Sequence, residues 1–225
     1  MAILKDTHVD YSEKPVGYFN GARKPFVDRL PHNPAGRLLE IGAGSGETAA
    51  YAIAEGKCGW CCGVELCEAP ALEARKKLQQ VIVGDVERIE FDFPEGYFDV
   101  LLMSEVLEHL VDPWAVLRRL HRLLKPGSLV IAGSPNACHY SVILTLLQGR
   151  WRYEPSGIFD ATHLRWFSPA SYSQMFEDCG FCVDEVGPAR PFGRKARLFS
   201  RLTRGRFDYL LHTQIVLAGH RIDKR

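Results

Sequence analysis

The chain has 225 residues, 46% of them apolar and 24% charged, enough to bury one full-sized core, so a single domain over residues 1–225 is expected. A formal charge of +1 gives no global electrostatic reason to expect a nucleic-acid partner. No segment approaches the roughly 18 to 20 apolar residues of a bilayer span, "MAILKDTHVD" meets charge after a short apolar run, and the seven cysteines are an odd number; the expectation is a soluble, cytoplasmic protein with reduced thiols.

From residue 37 onward, short apolar runs alternate with helix-like stretches. "RLLEIG", "CGWCCGVEL", "QVIVGD", "YFDVLLMSE" and "SLVIAGSP" read as strands. Between them "ETAAYAIAEG", "APALEARKKLQ" and "DPWAVLRRLHRLLKPG" carry apolar residues at helical spacing. Strands separated by helices imply crossover units and a parallel sheet covered on both faces, a doubly wound α/β architecture. Asp112-Pro113 opens the helix after the fourth strand, Pro126-Gly127 closes it, and Gly180 follows "SYSQMFEDC" at a helix end. The tail "FCVDEVG" and "YLLHTQIVLAGHR" supplies two more strands around a basic segment, for seven in all.

Four cysteines crowd into "GKCGWCCGVELCEA", and Cys58 with Cys61 has the C-x2-C spacing of zinc and thiol-redox sites. On a strand, however, Cys58 and Cys62 share one face roughly 13 Å apart and Cys61 points the other way. A redox pair would open a helix, where the dipole lowers a thiol pKa. Buried packing is the expectation for these thiols.

"LLEIGAGSGETAA" sets Gly42, Gly44 and Gly46 between the first strand and its helix, where the backbone must turn and a ligand must come close. The spacing is G-x-G-x-G, with Glu47 at the helix start. A dinucleotide loop would be G-x-G-x-x-G with its pyrophosphate at that position, so a ligand without phosphates is expected. Glu65 ends the second strand, where a carboxylate can accept from both ribose hydroxyls. Asp85 ends the third, suited to an exocyclic amine, with Val86 beside the base. Glu40 can orient the glycine backbone or meet a ligand ammonium group.

The succession "LLEIGAGSG", Glu65, "GDV", "FDVLLMSEVLEHLVDP" and "LLKPGSLVIAGSPN" resembles the class I S-adenosylmethionine-dependent methyltransferases over residues 35–187. The resemblance implies a three-layer, Rossmann-like, mostly parallel sheet of seven strands with an antiparallel last strand. It implies S-adenosyl-L-methionine as cofactor, lined by Glu40, Gly42, Gly44, Gly46, Glu65, Leu66, Asp85, Val86 and Ser104. "EVLEH" is shared with ubiquinone-type O-methyltransferases, in which an arginine ahead of the first strand meets the methionine carboxylate; Arg23 in "GARKPF" matches by spacing, against a solvated helix arginine. Residues 1–34, with Tyr11 and Tyr18, would close over the cofactor. Glu105, Glu108 and His109 match positions that bind a divalent ion in some of these enzymes; with no metal expected here, they read as a helix-start cluster.

Transfer to an alcohol needs alignment and a base. His109 after the fourth strand and His163 in the insert after the fifth are the candidates, each weighed against a structural role. That insert, residues 134–170, packs Trp151, Arg152, Tyr153, Asp160, His163, Arg165 and Trp166 closely, aromatic faces and polar groups together, as a sugar ring requires. A lid that merely packs over the sheet, with Asp160 and Arg165 as a clamp, is the plainer reading. The run "SPN...H......LL.GR..Y...GI.D.THLR.F" resembles a bacterial subgroup associated with cell-surface polysaccharides. It implies an O-methyltransferase for a sugar or glycan precursor, with Asn136, His139, Tyr153, His163 and Arg165 around the acceptor. Residues 190–206 hold seven basic side chains and no acid, which suits transient contact with a membrane surface or an anionic substrate as well as plain solvation. Methylation of a quinone or lipid precursor, a catalytically silent methyltransferase-like binding partner, and a nicotinamide oxidoreductase are the rival readings.

Overall fold

The computed structural model describes residues 20–223; Tyr11 and Tyr18 lie outside them. The chain runs α1 (Lys24–Val27), β1 (Arg37–Ile41), α2 (Glu47–Ala54), β2 (Trp60–Glu65), α3 (Glu68–Ala74), β3 (Gln80–Val83) and β4 (Phe98–Ser104). It continues through α4 (Pro113–Leu123), β5 (Leu124–Pro135), α5 (Tyr140–Leu147), α6 (Pro169–Asp178), β6 (Phe181–Pro188), α7 (Arg194–Thr203) and β7 (Gln214–Arg221). One seven-stranded sheet has the order β3-β2-β1-β4-β5-β7-β6. β7 runs antiparallel to both β5 and β6, and the other pairings are parallel. The strand order reverses between β1 and β4, and a crevice opens at such a switch outside the carboxyl ends of the strands.

Strand alternation divides the core into two layers. Leu39, Ile41, Val64, Leu101 and Met103 face one side, against α4 and α6; Leu38, Val100, Leu102 and Ile131 face the other, against α1 and α2. Helix ends follow local chemistry. The Asp112 carboxylate accepts from Ala115 N at 2.9 Å with Pro113 in the first turn, and Ser168 and Ser171 form a reciprocal cap on α6. Gly180, at φ +92°, turns the chain out of α6.

The structure corrects three details. α4 ends at Leu123, ahead of Pro126-Gly127, because β5 already begins at Leu124, pairing with Phe98 before an irregularity in the ladder. Tyr209 lies in a short 3-10 turn, and β7 starts at Gln214. Cys58 precedes β2, so strand parity does not govern it: its sulfur lies 3.2 Å from that of Cys61, both in the α2 layer, while Cys62 packs in the other. The basic segment folds as α7. All seven cysteines are free thiols. Among the described residues no helix is long and apolar enough to cross a membrane.

Candidate active site

A cavity of about 400 Å³ opens at the carboxyl ends of β1 to β4, within the size range of small-ligand sites. The glycine loop is its floor. Gly42, Gly44 and Gly46 all take positive φ, at +73°, +53° and +78°, a region that costs a side-chain-bearing residue. A Cβ on Gly42 would also come within 2.6 Å of Val106 Cγ2. The loop therefore brings bare backbone to the cavity wall.

Three acids surround that floor. Glu65, 5% exposed, accepts from Gly44 N at 2.7 Å with one oxygen and from Cys67 N at 2.9 Å with the other. A carboxylate offers about four lone-pair sites, so acceptor capacity remains for a hydroxyl. Burial raises its pKa, and the bonds from Cys67, Gly44 and Leu66 oppose the rise. Asp85 accepts from Glu87 N at 2.9 Å and meets Arg88 at 3.3 Å; Val86, Leu66 and Ser104 line the wall nearby. Glu40 is buried and orients α2, accepting from Ala49 N at 3.1 Å, whereas the sequence offered the glycine backbone or a ligand ammonium group as its partner. Burial pushes its pKa up to about 8, against the bonds from Ala49 and Thr48.

Arg23 also lines the cavity. Its backbone N donates to Thr48, and its guanidinium meets Glu105 at 3.2 Å. Glu105 is a residue whose role the sequence reading missed. It holds a left-handed backbone at φ +57° at the end of β4 and accepts from Gln214 at 3.1 Å, linking Arg23 to the last strand. A positive φ on a non-glycine residue is a conformation that the surroundings must enforce, and no sequence pattern announces it. Glu47 lines the cavity too, but Lys77 pairs with it at 2.7 Å, which weakens the repulsion expected toward a phosphate.

Toward the open side, Val106, His109, Leu110, Val111 and Leu164 complete the wall. Leu164 belongs to the insert, which is fastened by bonds from Leu164 N and Arg165 N to the Glu108 carbonyl at 2.8 and 3.0 Å. His109 Nδ1 lies 3.2 Å from the Thr162 carbonyl and 3.1 Å from its hydroxyl, which donates to Asp160 at 2.7 Å. A carbonyl only accepts, so this contact puts a proton on Nδ1, and in the neutral ring Nε2 is then the basic nitrogen. His163 does not line the cavity; it is 6% exposed and packs edge-on behind His109, ring centroids 4.8 Å apart.

The remaining acceptor candidates lie away from the cavity. Asn136 is fully buried and ties loops together, donating to the Tyr209 and His212 carbonyls and accepting from Cys138 N. His139 caps α5, Arg165 reaches the Val111 carbonyl, and Tyr153 is exposed at the surface. Trp151 packs edge-on against Phe159 and Trp166, as in the packed-lid reading.

A cation would find a different donor set from the one the sequence suggested. Glu108, His109 and His163 offer ligand atoms within 4.8 Å of one another, while Glu105 faces Arg23 and Gln214. Glu108 is 1% exposed, and burial, then the charge of Glu105, holds its carboxyl well above the ordinary range. Neither oxygen makes a hydrogen bond of good geometry among the described residues, although the Ser134 hydroxyl eases the penalty. A buried carboxyl in that state beside two imidazoles fits a divalent ion or a retained proton.

A family profile described as "Methyltransferase domain" matches residues 19–186. Curated relatives include the ubiquinone biosynthesis O-methyltransferase of Pseudomonas aeruginosa (strain LESB58), 32% identical over 181 residues, covering 77% of this chain and 76% of the relative. The protein of that name from Acinetobacter baumannii (strain AYE) is 24% identical, with 80% and 78% covered. Among solved structures, a SAM-dependent methyltransferase from Archaeoglobus fulgidus superposes with a TM-score of 0.64 at 20% identity, covering 90% of this chain and 96% of that one. An S-adenosylmethionine-dependent methyltransferase from Mesorhizobium loti gives 0.61 at 15%, covering 90% and 100%.

Proposed function

The chain belongs to the methyltransferase-domain family of class I S-adenosylmethionine-dependent enzymes, and on that premise we propose that it methylates a hydroxyl of a small, largely apolar acceptor, a phenol of the quinone-precursor type. When bound, S-adenosylmethionine supplies an electrophilic methyl on a sulfonium. The residues fit that group: a bare glycine floor, a buried Ser104 hydroxyl without a hydrogen-bond partner among the described residues, and Glu65 and Asp85 on either side for ribose and base. Arg23 receives the carboxylate end, exchanging part of its pairing with Glu105.

The observation that carries the acceptor reading is His109 in the cavity lining beside four apolar side chains, Val106, Leu110, Val111 and Leu164, with Glu87 and Glu105 as the lining acids nearest in sequence to them. An apolar wall excludes water around a ring, and the imidazole takes the hydroxyl proton as the methyl transfers. Thr162 and Asp160 fix its tautomer, and His163 supports its ring. The names of the curated relatives favour this acceptor over the sugar or glycan precursor that the insert suggested, and the mutual packing of Trp151, Phe159 and Trp166 leaves fewer faces for a sugar.

The test is transfer from methyl-labelled S-adenosylmethionine to a panel of prenylated catechols, simple catechols and nucleotide sugars, read by mass spectrometry. The expected product is a phenolic methyl ether, formed at least about 100-fold more slowly by His109→Ala. Methylation of a sugar or an amine, or cofactor binding with no transfer to any acceptor, would overturn the proposal; the last result would favour the silent binding partner.

A further inference from the structure

Two helices of this protein are amphipathic in the wrong sense for a core. In α7, Ala196, Ser200 and Thr203, small or polar, are the half-buried positions, while Leu198, Phe199 and Leu202 face solvent, Leu202 at 76% exposure. At 100° per residue, Arg194, Arg197, Arg201 and Arg204 form a stripe flanking that apolar face. α5 repeats the inversion. Ser141, Val142 and Thr145 turn inward, and Leu144 and Leu147 turn outward, Leu147 at 79%. An isolated exposed leucine requires no explanation, whereas two helices that each spend their apolar side on solvent do.

Both helices emerge from one edge of the sheet. α5 follows the carboxyl end of β5, and α7 joins the carboxyl end of β6 to the start of antiparallel β7. Asn136, just ahead of α5, bonds the Tyr209 and His212 carbonyls that follow α7, at 2.6 and 2.8 Å, and Phe192 stacks on His212 with ring centroids 6.3 Å apart. The cofactor cavity opens at the same edge.

We propose that α5 and α7 together form a docking face for an anionic lipid bilayer, lying in its interface beside the mouth of the cavity. Charge selects this occupant. Residues 190–206 carry seven basic side chains and no acid in a chain whose formal charge is only +1, so the rest of the molecule is net negative and the cations are concentrated on this face. A second copy seated symmetrically would bring arginine stripe against arginine stripe, which opposes association. Anionic head groups accept the guanidinium groups while Leu198, Leu202, Leu144 and Leu147 enter the acyl boundary. The ten residues of α7 span about 15 Å as helix, half the hydrocarbon thickness, so the helix lies on the membrane and does not cross it. The face does not depend on which acceptor is methylated.

The test is co-sedimentation of the full chain with phosphatidylcholine vesicles, with and without phosphatidylglycerol, at low and raised salt. Binding is expected only with phosphatidylglycerol, weakening as salt rises. It should fall at least about tenfold in Arg197→Glu/Arg201→Glu and in Leu198→Glu/Leu202→Glu, with S-adenosylmethionine affinity unchanged in both as the check on folding. Equal partition onto both vesicle types, or leucine variants that bind like wild type, would overturn the proposal. So would a dimer in light scattering that the leucine changes dissociate, or vesicle binding abolished by inorganic pyrophosphate with the leucine changes neutral; these would assign the face to a second copy or to a soluble anionic ligand.

Discussion

Replacing Glu40 by Gln should change how the protein's stability depends on pH. The carboxyl is buried under the glycine loop, accepting from Ala49 N, and its pKa stands at about 8 against an ordinary 4.5. A raised carboxyl pKa means that the folded state holds a proton which the unfolded chain releases, so stability falls as pH rises between those two values. From pH 5 to pH 8 the loss due to Glu40 amounts to about 3 to 4 kcal/mol. Glutamine keeps an oxygen for Ala49 N and cannot ionise. Urea denaturation of cofactor-free wild type and Glu40→Gln at several pH values should give similar stabilities near pH 5 and an increasing advantage for the variant toward pH 8. Glu65 and Glu108 also have raised pKa values; Glu108 is common to both proteins and cancels in the difference, while the charge of Glu65 is itself one of the causes that raise Glu40, a smaller one than burial. Parallel stability curves across this range would refute the reasoning.

Glu65→Ala and Asp85→Ala should each weaken S-adenosylmethionine binding by about 1 to 3 kcal/mol in calorimetry, the worth of one hydrogen-bonded group; unchanged affinity in both would sink the placement of the nucleoside. His163→Ala and Asp160→Asn, which act on His109 from behind, should slow turnover while leaving cofactor affinity intact, and His109→Ala should slow it more. Unaffected turnover in His163→Ala would make that histidine structural only. Cys58, Cys61, Cys62 and Cys179 are buried; burial pushes the Cys62 thiol up to about 12, and the Cys61 thiol is raised by its own bond to Cys58 and by burial. In native protein a water-soluble aromatic disulfide should therefore react with Cys67, Cys138 and Cys182 and reach the other four only after denaturant is added; rapid modification of Cys61 would contradict the packing assigned to it.

That the residues assigned to the cofactor meet at one cavity was legible because their signals are local. A strand, a glycine turn and a helix are contiguous in "LLEIGAGSGETAA", and Glu65 and Asp85 follow at strand ends, where position along the chain determines position at the crevice. The acceptor half was not, because its geometry is tertiary. Leu164 reaches the cavity only because the insert returns to bond the Glu108 carbonyl, and that return puts His163 behind His109, away from the wall. Asn136 and His139 have polar side chains suited to an acceptor, but buried loop carbonyls and a helix start use them first. Glu105 depends on a backbone conformation that its residue type disfavours. The error over Cys58 came from extending strand parity two residues beyond the start of β2. The inversion of α5 and α7 was half visible: the basic run stood out, but which side of each helix faces the protein required the fold.

The most direct test of the central claim is calorimetric titration of ligand-stripped protein with S-adenosylmethionine, S-adenosylhomocysteine and NAD, alongside Glu65→Ala. Binding of the first two and not the third, weakened by the substitution, is the predicted result. Binding of NAD, or of neither sulfur nucleoside, would contradict a crevice built for a nucleoside without a pyrophosphate.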